Sequence, residues 1–377
     1  MLYLLHKYKK LFVGNTYQFL FVHLCEVKGS KKYSTIRMEL LGIKFAPLNV
    51  PLERRLQTLA AAAWLVTFTV GGIIGTFLAL YLVLCTRLRW VVLPYLIWVY
   101  FIDRHAAETG GRISPWARSW KWWKYLKDYF PLQCVKSDGA ILDPNKNYLF
   151  GCFPHGVMPS GIFSLLNTNY GGFDEYFPHH ERYLVTLSEQ FMLPFSRELM
   201  LSLGGVASSV KSIEYILGKP GGGNVLGITV GGAKESLNSK PGIYRIVLRR
   251  RKGFVKLALR NGARLVPVFS FGQNDLFDQL DGPRLRRFQE ALRKWIVIAP
   301  IIPIGRGFFQ YSFGLIPRRH PVVTVVGKPI EMPKIEKPTQ EDIDKYHTIF
   351  MEKLIELFEE NKHKYLEEPE SKKLTID

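Results

Sequence analysis

The sequence predicts an α/β fold, with crossover helices joining a sheet, that follows a membrane-embedded helical hairpin. Two observations carry this prediction. Apolar runs of strand length alternate with helical patterns in the second part of the chain, and a long uncharged run precedes them. The strand-like runs are residues 148–150, 183–187, 225–230, 264–269 and 322–326. The helical patterns between them are residues 197–203, 209–217 and 253–261.

The uncharged run covers residues 59–85. At about 27 residues it is long enough to cross roughly 30 Å of hydrocarbon. Three glycines near its middle allow close packing of a helix. A second apolar run, residues 90–102, contains Pro94 and suits a short return leg, a re-entrant segment or an interfacial helix. The core helix of a soluble protein is the alternative for the first run.

These segments divide the chain into three predicted parts. Residues 1–58 form an N-terminal extension and cytosolic lead-in, of which we expect the first 37 residues to be dispensable. Residues 59–102 form a transmembrane or re-entrant hairpin with both ends on the cytosolic side. Residues 103–377 form a globular domain at the cytosolic face. It opens with a basic, tryptophan-rich segment suited to the headgroup layer and closes with an amphipathic helix at residues 340–366.

Composition restricts the partners. The 377 residues include 51 Lys and Arg against 32 Asp and Glu, a net charge of +19 that favours an anionic partner. No aromatic-interleaved basic ribbon or helix-turn-helix spacing is present, so we expect no nucleic acid. The four cysteines form no CxxC pair and, with the histidines, no metal-ligand spacing. We therefore expect a reducing compartment and no metal site.

The most informative stretch is the turn Phe153-Pro154-His155-Gly156, which follows the first strand-like run. Proline fixes φ and glycine allows a positive φ, so the pair holds the intervening imidazole at the end of a strand. A histidine in such a place is a candidate general base, because its pKa lies near neutrality. The alternative is a turn histidine that hydrogen-bonds to nearby backbone. Cys152 is a weaker candidate nucleophile.

A second candidate stretch, residues 231–236, follows the strand-like run 225–230 and begins with a glycine pair. Such a turn exposes N–H groups that suit an oxyanion or a phosphate. Glu235 in this stretch is a candidate orienter of the histidine. The alternative is a carboxylate that stabilises a helix N-terminus.

A cluster of basic residues forms the third candidate stretch: Arg249, Arg250, Arg251 and Lys252. A solvated basic face is the usual meaning of such a run. Next to a membrane segment, a nucleotide phosphate such as that of coenzyme A, or an anionic headgroup, fits better than nucleic acid.

Together these stretches resemble the type 2 diacylglycerol acyltransferase family, which includes monoacylglycerol and wax-alcohol acyltransferases. The resemblance runs from Met38 to the C-terminal tail, and its other marks are residues 129–131, 251–254, 271–274 and 325–330. It implies a mixed-sheet, acyltransferase-like catalytic domain. The implied reaction is transfer of a fatty acyl group from acyl-CoA to diacylglycerol, with monoacylglycerol or a long-chain alcohol as alternative acceptors. A non-enzymatic lipid-droplet membrane protein is the alternative from another class.

The resemblance also implies roles and a location. His155 matches the family's catalytic histidine and Glu235 its proposed acidic partner. Phe153, Pro154 and Gly156 would contact substrate beside the basic cluster, although the family has histidine where this chain has Phe153. Acyl-CoA would be a co-substrate, and no cofactor is expected. The enzyme would lie in the endoplasmic reticulum membrane, facing the cytosol, and reach lipid droplets. Whether it forms a homo-oligomer stays open.

Overall fold

The computed structural model describes residues 39–296 and 300–377, apart from residues 41 and 48. The predicted dispensable extension, the first 37 residues, lies outside the described residues. The centre of the described part is one mixed sheet of seven strands in the order β1-β7-β6-β2-β5-β3-β4. The strands are β1 (Leu132–Lys136), β2 (Tyr148–Phe153), β3 (Glu181–Thr186), β4 (Gly205–Ala207), β5 (Asn224–Thr229), β6 (Arg264–Phe271) and β7 (Val322–Val326).

The sheet has a parallel core. Strands β6, β2, β5, β3 and β4 run parallel to their neighbours, whereas β7 is antiparallel to β6 and parallel to the edge strand β1. Strand β2 occupies the central place, and all six of its residues are buried. A parallel strand covered on both faces is expected to be apolar without alternation, as this one is. The carboxyl end of β2 therefore opens at the middle of the sheet.

Helices cover both faces of the sheet and precede it. They are α1 (Leu52–Thr69), α2 (Gly71–Cys85), α3 (Arg89–Ile97), α4 (Pro115–Arg118), α5 (Lys121–Tyr129), α6 (Ser160–Asn167), α7 (Phe173–Tyr176), α8 (Ser196–Ser202), α9 (Val210–Leu217), α10 (Gly232–Ser236), α11 (Gly253–Asn261), α12 (Pro283–Ile296) and α13 (Gln340–Tyr365). A π-helical turn, Trp98–Ile102, continues α3. Single 3-10 turns lie at Ala106–Glu108, Ser188–Met192, Gln273–Leu276 and Pro369–Ser371.

Three pairs of short strands lie outside the main sheet. Glu39–Leu40 pairs with Ile43–Lys44, and Asp278–Gln279 pairs with Pro303–Ile304, both antiparallel. Tyr244–Ile246 pairs in parallel with Leu374–Ile376. The last pair ties the C-terminal segment to the residues that lead into the basic cluster.

The predicted α/β alternation is confirmed. All five strand-like runs are strands of the main sheet, and the three helical patterns correspond to α8, α9 and α11. The sequence analysis missed β1 and β4, which lie at the two edges of the sheet. Only one residue of β1 is buried, and β4 is three residues long, so neither strand leaves a strong apolar pattern.

The predicted hairpin is confirmed only in part. The run 59–85 is not one helix, because α1 and α2 are bent by 69° at a break between them. No single helix in the described part of the chain is long and apolar enough to span a bilayer, although the bent pair has the required length and composition. Ala61, Ala62 and Trp64 of α1 are buried in a cluster with Trp123 of α5. Part of α1 thus packs in the core, and a membrane segment in this half of the run stays a prediction.

The exposed apolar surface begins at α2. Ile74, Phe77 and Leu84 of α2 and Trp90 of α3 are each more than half exposed. The glycines of α2 allow close packing, as predicted, but the segment that packs against them is a loop. A Cβ on Gly72 would lie 2.3 Å from the Leu193 side chain. The tryptophan-rich segment is divided in a similar way, because Trp116 is 73 % exposed whereas Trp123 is buried.

The predicted amphipathic C-terminal helix is confirmed as α13. A capping box at Thr339 and Asp342 starts it, and its apolar face packs on the sheet. Phe350 lies directly on β2, because Gly151 leaves room for its ring. A Cβ on Gly151 would lie 2.4 Å from the ring of Phe350. Helix α13 therefore supports the strand that leads into the predicted turn.

Candidate active site

The turn after β2 places His155 at the carboxyl end of the central strand. Phe153, the last residue of β2, pairs with Phe269 of β6. Gly156 has a φ of +64°, and a Cβ there would lie 2.9 Å from the side-chain nitrogen of Gln273. Glycine is therefore the residue that fits without strain. Ligands of α/β proteins bind outside the carboxyl ends of such strands.

The imidazole of His155 is held through one nitrogen. Its Nδ1 lies 3.0 Å from the carbonyl oxygen of Gly156 and 2.8 Å from Oγ of Ser236. A carbonyl oxygen only accepts hydrogen bonds, so this geometry requires the proton on Nδ1. Nε2 then carries the lone pair, and it forms no hydrogen bond within the described residues. Because the residue is only partly buried, Nε2 is the nitrogen that a substrate can reach.

Ser236 is a site residue that the sequence analysis missed. It is buried on α10, and its hydroxyl lies 3.4 Å from the carbonyl oxygen of Gly232, one turn earlier. Donating to that carbonyl leaves the Ser236 oxygen free to accept from Nδ1 of His155. The two residues are 81 positions apart in sequence. The available signal was the position of Ser236 directly after Glu235, in a stretch already chosen for its glycines.

Glu235 contacts His155 through the main chain. Its carboxylate accepts the backbone N–H of His155 at 2.5 Å and the backbone N–H of Val247 at 2.9 Å. Gly231 makes room for it, since a Cβ there would lie 2.0 Å from the carboxylate. Glu235 therefore fixes the turn and the segment before the basic cluster, while Ser236 contacts the ring.

Burial shifts the pKa of both ionisable groups. It raises the pKa of the buried Glu235 carboxyl to about 7, although the two backbone hydrogen bonds act in the opposite direction. Burial also lowers the pKa of His155 below its ordinary value, against the hydrogen bond to Gly156. A histidine with a lowered pKa is neutral at pH 7, which is the state that a general base needs.

Two neighbours of His155 belong to the core. The ring of Phe153 is fully buried, and its centroid is 6.4 Å from that of Phe350. The expected substrate contact of Phe153 is therefore wrong, because its ring is covered by α13. Pro154 is also buried. Cys152 is buried as well, and burial raises the pKa of its thiol, so it is not an activated nucleophile.

A buried amide holds the rest of the loop. The side chain of Gln273 donates to the carbonyl oxygen of Met158 at 2.7 Å. Its oxygen accepts from the Ser160 hydroxyl and from the backbone N–H of Gly161, both at 3.1 Å. The segment from Gly156 to α6 is therefore fixed on the sheet by one side chain. The backbone N–H of Gly156 donates to no atom in the described residues, so it is a candidate oxyanion donor.

The basic cluster lies on the surface beside this loop. Arg249, Arg250 and Arg251 are exposed, and within the described residues none pairs with a carboxylate. Lys252 differs, since its ammonium group lies 2.6 Å from the carboxylate of Asp344. The backbone N–H of Val247, two residues before Arg249, donates to Glu235, so the cluster begins near the turn. The three arginines are thus free to hold an anion, and Lys252 is already paired.

A cleft of about 500 Å³ lies elsewhere, along the edge strand β1. Its walls include Pro131, Cys134, Gly172 and Tyr176, and no predicted site residue lines it. In the described residues, no three histidine, cysteine or acidic side chains are grouped so that they could hold a metal ion.

Comparison with known proteins addresses the chemistry directly. The profile of a family described as "Diacylglycerol acyltransferase" matches residues 81–377. "2-acylglycerol O-acyltransferase 1" from Bos taurus is 47% identical over 328 residues, which are 86% of this chain and 97% of that protein. "Diacylglycerol O-acyltransferase 2" from Dictyostelium discoideum is 42% identical over 325 residues, 85% of this chain and 96% of that protein.

The same relationship extends to a human protein. "Diacylglycerol O-acyltransferase 2" from Homo sapiens is 42% identical over 318 residues, 83% of this chain and 81% of that protein. The matched residues include the turn at His155, the stretch at Glu235 and the basic cluster. The chain therefore belongs to the diacylglycerol acyltransferase family and is an acyltransferase.

Proposed function

We propose that this enzyme transfers a fatty acyl group from acyl-CoA to a hydroxyl group of an acylglycerol, with His155 as the general base. The observation that carries the proposal is the state of the His155 ring. Its Nδ1 is held by Gly156 and Ser236, while Nε2 has no hydrogen-bond partner among the described residues. A glyceride hydroxyl is a poor nucleophile, so a base in this position is worth about 10²- to 10⁴-fold in rate.

The proposed reaction begins when Nε2 of His155 takes the proton of the acceptor hydroxyl. The hydroxyl oxygen attacks the thioester carbonyl, and the carbonyl oxygen becomes an oxyanion. The N–H of Gly156, which has no acceptor among the described residues, would donate to the oxyanion, and a good donor of this kind is worth about 3 kcal/mol. Collapse of the intermediate breaks the carbon–sulfur bond. The proton on Nε2 then passes to the departing thiolate, so His155 ends neutral.

The basic cluster supports acyl-CoA as the donor. Arg249, Arg250 and Arg251 are exposed and unpaired with carboxylates in the described part of the chain, so their charges are available to phosphate groups. Val247 connects this cluster to the turn, because its N–H and that of His155 bind the same carboxylate. Binding of the CoA phosphates would therefore fix the thioester near the base.

Two acceptors are candidates. Diacylglycerol is the acceptor predicted from the sequence, and two of the relatives described above carry it in their names. A 2-monoacylglycerol is the second candidate, because the bovine relative named for it is the more similar, at 47% against 42% identity. Both acceptors present a primary hydroxyl on a glyceride, so one site chemistry serves either.

We further propose that α2 and α3 hold the enzyme in the endoplasmic reticulum membrane, with the sheet domain on the cytosolic face and access to lipid droplets. The exposed apolar side chains of the two helices support this location. Both substrates are amphiphiles, and an anchored enzyme receives them without extracting them into water. We infer no cofactor, and the oligomeric state stays open.

An acceptor panel tests the proposal. Microsomes that contain the full-length protein are incubated with labelled acyl-CoA and, separately, diacylglycerol, 2-monoacylglycerol or a long-chain alcohol. We expect labelled triacylglycerol or diacylglycerol above the level of control microsomes, and little labelled wax ester. The absence of an acylated product with every acceptor would contradict the proposed function. Label only in wax ester would contradict the acylglycerol acceptor.

A further inference from the structure

A loop outside the proposed catalytic turn exposes a cluster of aromatic side chains. We call it the aromatic loop, residues 306–316; it is closed by a bridge between Arg306 and Ile316. Phe309 is 74 % exposed and Phe313 is 53 % exposed. The other exposed large side chains of the loop are Phe308, Tyr311 and Leu315. So many apolar side chains in one short exposed segment indicate a site of interaction.

The backbone of the aromatic loop is largely paired within itself. Arg306 and Ile316 exchange two hydrogen bonds, at 2.7 and 3.0 Å, and the N–H of Gly307 donates to Gln310 at 3.1 Å. The side-chain oxygen of Gln310 accepts the N–H groups of Ser312 and Phe313. Unpaired backbone groups make entry into hydrocarbon costly. This loop has already satisfied many of them, so its aromatic side chains can leave water at low cost.

Positive charge collects at the base of the loop. Arg306 lies 4.3 Å over the ring of Tyr311, and Arg319 lies 4.5 Å over the ring of Tyr129. Burial and the nearby charges of Arg54 and Arg306 lower the pKa of Arg319 to about 10. None of these three arginines forms an ion pair with a carboxylate in the part of the chain that the structure describes. Arg319 donates to the side-chain oxygen of Gln57 at 2.7 Å, and Arg306 donates to the carbonyl oxygen of Gly307 at 3.1 Å. These neutral acceptors leave the positive charge of the cluster uncompensated, which favours an anionic partner.

The loop is also bound to the segment that enters α1. The N–H of Tyr311 donates to Lys44 at 2.7 Å, and the N–H of Ala46 donates to Phe309 at 2.7 Å. Leu52, the exposed first residue of α1, lies six positions after Ala46, and a chain of that length spans at most about 20 Å. The aromatic loop thus lies close to the start of α1, the helix that leads into α2.

We propose that the aromatic loop inserts into the headgroup region of a phospholipid membrane, with Arg54, Arg306 and Arg319 against lipid phosphates. Aromatic side chains favour the boundary between headgroups and acyl chains, and guanidinium groups bind phosphate through several hydrogen bonds. A protein partner would also use aromatic residues and arginine. The partly paired backbone and a cluster of like charges that has no carboxylate partner among the described residues favour a lipid surface. This contact is separate from the catalytic chemistry and does not depend on which acceptor is used.

Fluorescence quenching in vesicles tests the proposal without an activity measurement. The full-length protein, with Cys25, Cys85 and Cys134 changed to serine, receives one new cysteine by Phe309→Cys. Cys152 is fully buried and stays. The new thiol is labelled with an environment-sensitive fluorophore, and the protein is reconstituted in phosphatidylcholine and phosphatidylserine vesicles that contain a lipid with a nitroxide near its headgroup. Two matched variants carry the label at Ile74→Cys in α2 and at Ile355→Cys on the exposed face of α13.

We expect the label at position 309 to be quenched at least about twofold, as suits a side chain at the hydrocarbon boundary, while the label at position 355 is not. An unquenched label at position 309 beside a quenched one at 74 would overturn the proposal, and is the result that a docking site for a protein would give. A quenched label at 309 beside an unquenched one at 74 would support the loop and contradict the anchor assigned to α2.

Discussion

The orientation of His155 depends on a single pair of hydrogen bonds at Nδ1. Gly156 accepts from that nitrogen, and the Ser236 hydroxyl lies 2.8 Å from it. Removing either contact would let the ring rotate or change tautomer, because the other described contacts of the turn are made by the main chain. Ser236 is therefore a positioning residue, and its effect should appear in turnover rather than in substrate binding.

Changing Ser236 to alanine should lower kcat about fivefold, since one neutral hydrogen bond is worth about 1 kcal/mol. KM for acyl-CoA should stay the same, because the serine lies behind the ring. Steady-state kinetics on membranes with equal amounts of enzyme measures both constants. Ser236→Thr keeps the hydroxyl and should restore most of the rate. If kcat is unchanged in Ser236→Ala, the serine does not position the ring.

The pH profile separates the two ionisable groups. The pKa of Glu235 is about 7, and that of His155 lies below the ordinary 6.5. Both groups gain protons as pH falls, so both lower the rate on the acid side. Glu235→Gln removes the first group and should leave an acid limb of kcat/KM with its midpoint below pH 6.5. A midpoint above 6.5 in this variant would contradict a lowered pKa for the partly buried His155.

The ionisation of Glu235 changes folding stability with pH in the direction opposite to that of a salt-bridged carboxylate. Its pKa in the folded protein is raised above its ordinary 4.5. The folded state therefore binds more protons than the unfolded state between about pH 4.5 and 7, and stability falls as pH rises through this range. The carboxylate is kept despite this cost because its two oxygens hold the N–H groups of His155 and Val247.

At this scale the sequence predicted the turn but not the contacts of its side chains. Proline and glycine around His155 are local signals, and they correctly indicated a tight turn at a strand end. The contact with Ser236 and the burial of Phe153 both depend on segments more than 80 residues away. The residues around the turn do not show which distant segments of the chain will contact it.

Among the elements, the segment from Val247 to Lys252 has the clearest consequence for binding. It runs from the backbone contact with Glu235 to the ion pair with Asp344, and the three arginines between them are exposed. Both ends of the segment are thus anchored, while its middle presents free charge. Such a segment holds its charges at a fixed place without using them internally.

Changing Arg249, Arg250 and Arg251 to alanine should raise KM for acyl-CoA about tenfold or more, because each charge-assisted hydrogen bond to phosphate contributes about 1.5 kcal/mol. The kcat at saturating acyl-CoA should change little. A matched control changes three exposed lysines of α13, Lys345, Lys353 and Lys364, and so removes the same charge elsewhere. Equal KM values in the two triple variants would show that the arginines do not bind acyl-CoA and only form a solvated surface.

Helix α1 shows why the membrane segment was only partly predicted. An uncharged alanine-rich run has the same composition in a bilayer and in a protein core. A core helix differs from a bilayer helix in that other parts of the protein cover its side chains. For Trp64 these neighbours are Phe130 and Phe163 of the sheet domain. Most large side chains of α2 have no such cover among the described residues, so its sequence and its exposure agree. Strand boundaries were predicted more closely, because β2, β5 and β6 are continuous apolar runs.

For the whole molecule, the exposed helices predict how the protein is held in the membrane. Alkaline carbonate and high salt release proteins that are bound to a membrane by charge alone. They should not release this protein, because the apolar surface of α2 and α3 would lie in the hydrocarbon. We expect the full-length protein to stay in the pellet of carbonate-washed microsomes. Deleting residues 71–102 should weaken this retention. Recovery of the intact protein in the carbonate supernatant would contradict an embedded anchor.

The central claim is that the assembled, membrane-held enzyme transfers acyl groups by proton removal at His155. The most direct measurement is the turnover of full-length His155→Ala in membranes, with the acceptor that the wild-type enzyme prefers. Loss of a positioned base should lower kcat by about 100-fold or more. His320→Ala, which changes an exposed histidine that contacts Pro321, is the matched control and should keep the wild-type rate. A His155→Ala enzyme that is expressed, embedded and as fast as the wild type would contradict the account.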